Sequence, residues 1–308
     1  MTNKFRLNVV SLAAAGLIGG LALGWTTMAS AQEKKLSLNL QNAYPKTLGL
    51  LGPAMTEFKD RVELLSAGTI KVKVHEPGAL VPTLEMIDAV SKGSLDMAFG
   101  GSSWWGDKEK AFDFFTSVPF GPNAAEFIAW LFEGGGIELN DELYAKYNVK
   151  ALFCHILPPE GGGWYKKEIN SVSDFKGLRL RWAGLGADVL KRVGASPQLV
   201  APADIQPALE RGALDAAEFS VPSLDLWFKL YQVAKHVYYP GWHQQHGFNQ
   251  VLINLELWKS MSERQRLIIQ MTCNDMITRS LADSEAAQPP ALHEFKKLGV
   301  NVHRFSDE

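Results

Sequence analysis

Short stretches in which apolar and polar residues alternate are followed, along most of this chain, by longer stretches in which apolar residues recur every three to four positions. Leu36-Ser-Leu-Asn-Leu40 predicts a strand and Gly52 to Leu65 a helix. Thr69 to His75 predicts a second strand, Thr83 to Lys92 a second helix, and Leu95-Asp-Met-Ala-Phe99 a short buried strand. A second series runs from Pro158 to about Gly241. Within it, Gly177-Leu-Arg-Leu-Arg-Trp-Ala-Gly184 alternates as a half-buried strand ending at Arg181. Asp204 to Gly212 reads as an amphipathic helix closed by glycine, and Leu214-Asp-Ala-Ala-Glu-Phe219 as a strand that ends on a carboxylate. Glu263 to Leu298 predicts a long helical stretch with a break or register change at Pro289-Pro290. This order predicts an α/β chain of two lobes, each a mixed sheet flanked by helices, with a long C-terminal helical region. The lobes are expected at 32–157 with 248–285, and at 158–247 with 286–308.

The N-terminal 31 residues fall outside that pattern. Lys4 and Arg6 precede an apolar run from Val9 to Leu23, and Ala29-Ser-Ala31 follows, which is the order of a signal peptide cleaved before Gln32. An uncleaved anchor fits less well, because the apolar run is short for a span. Without a twin arginine, the export route expected is the one for unfolded chains, and the destination is the periplasm. Net charge is −2, from 31 Lys and Arg against 33 Asp and Glu. With no basic patch or acidic tail, nucleic acid and charged membrane surfaces are not expected partners. Of the two cysteines, Cys154 lies in the apolar run Ala151 to Leu157, and is expected as a buried packing thiol rather than as half of a disulfide with Cys273.

An arginine at a strand end suits a carboxylate ligand, because its planar fork donates two parallel charge-assisted hydrogen bonds. Arg181 is that candidate, with a strand-end salt bridge as its ordinary alternative. Arg179, two residues earlier, points to the same face and is expected to lie deeper. Gly100 to Gly106, with Ser103 and Trp104, follows directly on a strand. The carboxyl ends of strands are where ligands bind in open α/β sheets. Tyr44, after the first strand, follows the same logic. Trp105 and Trp182 are expected to pack in the core. Asp225 is a weaker candidate, since an aspartate in a first helical turn is ordinary. His243 and His246 have a spacing that suits a transition metal, but no cysteine or carboxylate completes a ligand set in sequence, so the turn is expected at the surface. No nucleophile elbow, His-Glu-x-x-His, phosphate loop or dinucleotide fingerprint is present.

Several segments, in order, resemble one family: Asp88-Ala-Val-Ser-Lys-Gly93 with Asp96-Met97, Val118-Pro-Phe-Gly121, and Gly162-Gly-Trp-Tyr-Lys-Lys-Glu-Ile169. Phe175 to Arg181, Gly194-Ala195, Leu214 to Phe219, and Ala234-Lys-His-Val-Tyr-Tyr-Pro-Gly-Trp-His243 continue it. The chain is similar to the periplasmic solute-binding proteins of tripartite ATP-independent periplasmic (TRAP) transporters, in the branch that binds 2-oxo and 2-hydroxy acids. The resemblance implies a two-lobed periplasmic binding protein. Its carboxylate-gripping arginine falls on Arg181. The family's bridging cation is held by a glutamine, a glutamate and an aromatic residue's carbonyl; the last two fall on Glu218 and Phe219. The glutamine position falls on Glu160, a departure.

With two carboxylates, a divalent Ca²⁺ balances charge better than Na⁺, and these two ions are the expected cofactors. Without a cation, one carboxylate takes up a proton, and Glu160 then reads as neutral or as part of a solvated turn at Pro158-Pro159-Glu160-Gly161. The expected ligand set is Arg181, Glu160, Trp104, Ser103, Tyr44 and Phe219, with Glu160, Glu218 and Phe219 on the metal. The function implied is a receptor, not an enzyme, for an acid such as pyruvate or lactate, delivering it to TRAP membrane subunits. A metal-assisted enzyme with Glu160 as base and a periplasmic ligand sensor are the alternatives. Relatives of this branch continue past Val300 to Phe305 with dimerising helices, whereas this chain stops at Glu308, so a homodimer is left open.

Overall fold

The structure, a computed structural model, describes residues 33–307; the signal-peptide reading lies outside them. The first series gives β1 (Leu36–Asn42), α1 (Leu51–Leu65), β2 (Ile70–His75), α2 (Met86–Ser91) after one 3-10 turn, and β3 (Met97–Gly101). Next come α3 (Ala124–Glu133), α4 (Gly136–Ala145) and β4 (Val149–Leu157). The second series is β5 (Trp164–Tyr165), β6 (Arg179–Arg181), α5 (Gly184–Arg192), β7 (Ser196–Gln198), α6 (Ile205–Glu210), β8 (Ala216–Ala217), α7 (Pro222–Trp227) and β9 (His236–Tyr238). The chain closes with β10 (Gly247–Asn254), α8 (Leu255–Ser260), α9 (Glu263–Lys297) and β11 (Asn301–His303).

Two sheets result. The five-stranded sheet has the order β2-β1-β3-β10-β4, and the six-stranded sheet β11-β9-β5-β8-β6-β7. Both are mixed: β10 runs antiparallel to β3 and β4 in one, and β5 antiparallel to β8 and β9 in the other. The alternation that marks β1 and β2 reports one covered and one open face, seen as Leu36, Leu38, Ile70 and Val72 buried with Ser37 and Lys71 exposed. Every residue of β10 is buried, so that strand carries no alternation. A continuous core runs from the first sheet into Trp164, Ala217 and Val237 of the second, and a smaller cluster gathers around Tyr165, Leu180 and Trp182.

Three expectations are corrected here. First, Cys154 and Cys273 form a disulfide. Cys154 is buried on β4, and α9 packs across that strand and presents Cys273 to it; the pairing is tertiary and has no trace in the local apolar run. Second, α9 is one helix over 35 residues, with Pro289 and Pro290 inside it. The prolines withhold two N–H donors, but packing on both flanks keeps the axis. Ile269 and Met276 are buried on one side of the pair, and Phe295 on the other meets Trp164 edge-on at 5.0 Å. Third, Arg179 is not the deeper arginine. It is exposed and pairs with Asp215 at 2.7 Å, whereas Arg181 is the buried one, because β6 runs inward toward its carboxyl end.

Candidate functional site

The ends of β3, β6 and β8 and the start of β10 meet around a cavity of about 50 Å³. Its walls include Tyr44, Ser103, Trp104, Glu160, Arg181, Glu218 and Phe219, so the structure brings the sequence candidates together. Trp105, Trp164, Trp182 and Trp242 do not line it. Trp182 stacks on Trp242 at 6.0 Å, and Trp164 donates its indole N–H to Asp225 at 2.7 Å. Asp225 therefore supports a core tryptophan, and burial pushes its carboxyl well above the ordinary range.

Arg181 is 3% exposed. Its Nη1 donates to the Glu218 carbonyl at 2.6 Å and to Glu218 Oε2 at 3.0 Å, and its Nε to the Val200 carbonyl at 3.4 Å. Among the described residues Nη2 has no protein partner. The guanidinium thus fixes the chain at the end of β8 with one edge and retains a donor beside the cavity. Its charge also lies 5.7 Å from the centre of the Phe219 ring.

Glu160 is 4% exposed, so the solvated-turn reading does not hold. The turn is folded inward by its own backbone: Glu160 N–H donates to the Gln244 carbonyl, and Gly241 N–H donates to the Glu160 carbonyl. Glu160 Oε1 accepts from Ser220 Oγ at 3.3 Å. Gly247 permits this approach, since a Cβ there would lie 2.9 Å from Glu160 Oε1. Burial and the neighbouring Glu218 charge raise the Glu160 pKa well above the usual carboxylate value. For Glu218 burial acts in the same direction, but His243 and the Arg181 charge outweigh it and hold the group below its ordinary value.

On the facing wall, Tyr44 donates its hydroxyl to Asn249 Oδ1 at 2.7 Å and meets Trp104 edge-on at 5.5 Å. Burial raises the phenol's pKa, so it stays a neutral donor. Gly184 sits in the left-handed region at φ 63°, and a Cβ there would lie 3.2 Å from Ser103 Cβ, so a glycine lets the β6–α5 turn close on the Ser103 loop. Sequence reading missed Asn249, Ser220 and Gln244, which carry no local signal. It also placed His243 and His246 at the surface. Both are buried, His246 against Phe127 at 4.2 Å and His243 with Nε2 3.6 Å from Glu218 Oε1.

The donor set fits a hard cation. Glu160 Oε2 and Glu218 Oε1 are buried and have no hydrogen-bond partner among the described residues, and two adjacent carboxylates in a dry site need a positive counter-charge or a proton.

The pattern of the bacterial extracellular solute-binding proteins, family 7 (DctP), matches residues 44–308, and the chain belongs to that family. A monocarboxylate 2-oxoacid-binding periplasmic protein of Nostoc sp. is 35% identical over 283 residues, covering 92% of this chain and 78% of that protein. A TRAP transporter solute-binding protein from Bordetella bronchiseptica superposes with a TM-score of 0.87 at 33% identity, covering 89% of this chain and 82% of that one. It is a mixed-occupancy dimer with copurified calcium and picolinate in the bound active site. A TRAP periplasmic solute-binding protein from Pseudoalteromonas atlantica, holding sodium and pyruvate, gives 0.86 at 29% identity, over 89% of this chain and 83% of that one. The two-sheet fold with its long C-terminal helix is that of the TRAP periplasmic binding proteins, a family of substrate-binding receptors.

Proposed function

We propose that this protein is an extracytoplasmic receptor for a small 2-oxo or 2-hydroxy monocarboxylic acid, such as pyruvate or lactate, which it passes to TRAP membrane subunits. The observation that carries the reading is a buried arginine beside two buried carboxylates with unpartnered oxygens, in a cavity of about 50 Å³. Arg181 would take the acid's carboxylate. Glu160, Glu218 and the Phe219 carbonyl would hold the Ca²⁺ or Na⁺ that bridges protein and acid, a cation whose charge offsets the anionic groups around it. Tyr44, Ser103 and Trp104 would close on the acid from the opposite wall.

Energetics support a bridged ion. A pyruvate-sized acid has about six non-hydrogen atoms, and at a ceiling of about 1.5 kcal/mol each its affinity is bounded near 9 kcal/mol. Micromolar retention needs about 8 kcal/mol, so nearly every polar atom has to be engaged. The lobe boundaries expected from sequence, 32–157 with 248–285 and 158–247 with 286–308, belong to the same proposal, with an acid seated between the lobes coupling affinity to their closure. The receptor would return its acid unchanged.

The test is denaturing extraction of protein purified from its native periplasm, with mass spectrometry of the released acid and elemental analysis of the ion. A 2-oxo or 2-hydroxy acid with a stoichiometric cation is expected. A released sugar or amine, or catalysed turnover of added pyruvate, would overturn the reading.

A further inference from the structure

A third buried donor stands at the two carboxylates. We infer that His243 Nε2 is a ligand of the bridging ion, and that the site consequently accepts first-row transition cations such as Mn²⁺, Co²⁺ and Zn²⁺ as well as Ca²⁺. The inference rests on the cation-bridged reading above and adds a ligand to it.

Three observations carry it. One donor atom each from Glu160, Glu218 and His243 lies within 4.8 Å of the other two. Ligand atoms bonded to zinc at about 2.0–2.2 Å in tetrahedral array stand about 3.3–3.6 Å apart, and His243 Nε2 lies 3.6 Å from Glu218 Oε1. His243 is 2% exposed, yet among the described residues neither of its ring nitrogens has a hydrogen-bond partner. A desolvated imidazole whose Nε2 meets a carboxylate oxygen only at 3.6 Å, and whose Nδ1 meets no acceptor or donor, is under-satisfied, and one with a nitrogen beside a carboxylate pair is a ready ligand. The ring is also positioned: it meets Trp182 edge-on at 4.7 Å and Trp242 at 5.7 Å, and a Cβ on Gly186 would come within 3.1 Å of His243 Cβ. Packing, rather than a hydrogen bond, sets its direction.

The ligand chemistry then decides the ion. Carboxylates and carbonyls alone suit Ca²⁺ and Na⁺, whereas an imidazole nitrogen adds little for those ions and much for borderline divalent metals. The simpler account is a metal-free ion pair between His243 and Glu218, and it makes a different prediction.

Chelator-stripped full-length protein, without any acid, is loaded with Mn²⁺ and examined by pulsed electron paramagnetic resonance. A directly coordinated nitrogen coupling is expected; its absence overturns the inference. Calorimetric titrations with Zn²⁺ and Ca²⁺ are then made on the wild type and on His243→Gln. Zn²⁺ affinity should fall at least tenfold in the variant, while Ca²⁺ affinity changes less than threefold. Equal effects on both ions also overturn it. Should His243→Gln not fold, the wild-type resonance measurement decides alone. Nitrogen coupling without any pyruvate or lactate binding would sink the receptor reading and leave this ligand set standing. Calcium-supported pyruvate binding without nitrogen coupling would do the reverse.

Discussion

Replacing Glu160 by glutamine is the sharpest test of the ion site, because it removes one charge with almost no change of shape. The amide oxygen of the glutamine can still accept from Ser220 Oγ, which Glu160 meets at 3.3 Å, so the turn's contacts survive. The carboxylates lie within 4.8 Å of each other. At an effective dielectric of about 20, a monovalent ion about 4 Å from the Glu160 charge is attracted to it by about 4 kcal/mol, and a divalent ion by about twice that. Loss of the Glu160 charge therefore removes about twice as much attraction from a divalent ion as from a monovalent one. Two effects reduce the measured difference. Ions differ in dehydration cost, and Glu160, with its raised pKa, has to release a proton when an ion enters. A shift of at least tenfold in the ratio of Ca²⁺-supported to Na⁺-supported acid affinity, about 1.4 kcal/mol, should remain. Calorimetry of pyruvate binding to chelator-treated protein in each salt, before and after the substitution, measures it. Equal ratios in the two proteins would refute the assignment of Glu160 to the ion.

Arg181→Lys should weaken acid binding at least tenfold while thermal unfolding stays cooperative, since lysine keeps the charge and loses the fork; unchanged affinity by calorimetry would exclude Arg181 as the grip. Asp113 is 1% exposed, neither of its carboxylate oxygens has a hydrogen-bond partner among the described residues, and burial outweighs the Lys110 charge 3.6 Å away and pushes its pKa from 3.8 to about 6. A raised carboxyl keeps its proton in the folded state over a window where the unfolded state has lost it. Stability should therefore fall as pH rises from about 4 to about 6, by up to about 3 kcal/mol, and Asp113→Asn should flatten that slope in urea titrations. The Cys154–Cys273 bond spans 119 residues, so removing it with paired alanine substitutions should lower the unfolding free energy by about 4 kcal/mol. A loss below about 1 kcal/mol in denaturant titrations would mean that the unfolded chain is not constrained by that link.

What the sequence revealed depended on how local the cause was. β1 and β2 are half-covered strands, so their alternation was visible, and the paired arginines of Arg179-Leu-Arg181 marked β6. Which arginine is buried was not visible, because that depends on the direction in which β6 enters the second sheet. Glu218 and Phe219 came from family resemblance, as an acidic residue after two alanines carries no signal of its own. The His243 turn was misjudged as surface because its neighbours are carboxylates and tryptophans from other elements, gathered only on folding. The disulfide and the unbroken α9 failed for the same reason: each is decided by what packs against the segment.

The long helix α9 has a consequence for mechanics. Near its start it is bonded covalently to β4 of the first sheet through Cys273, and near its end Phe295 is wedged against Trp164 of the second. It is thus a beam anchored at one end by a bond that cannot slide and at the other by a contact that can. Any rocking of one sheet against the other loads this beam in bending, and bending concentrates where the backbone ladder is thinnest. That place is Pro289-Pro290, which lies between the two anchorages and lacks two rungs. Bending under such a load would therefore fall within the helix at the proline pair rather than at either anchorage.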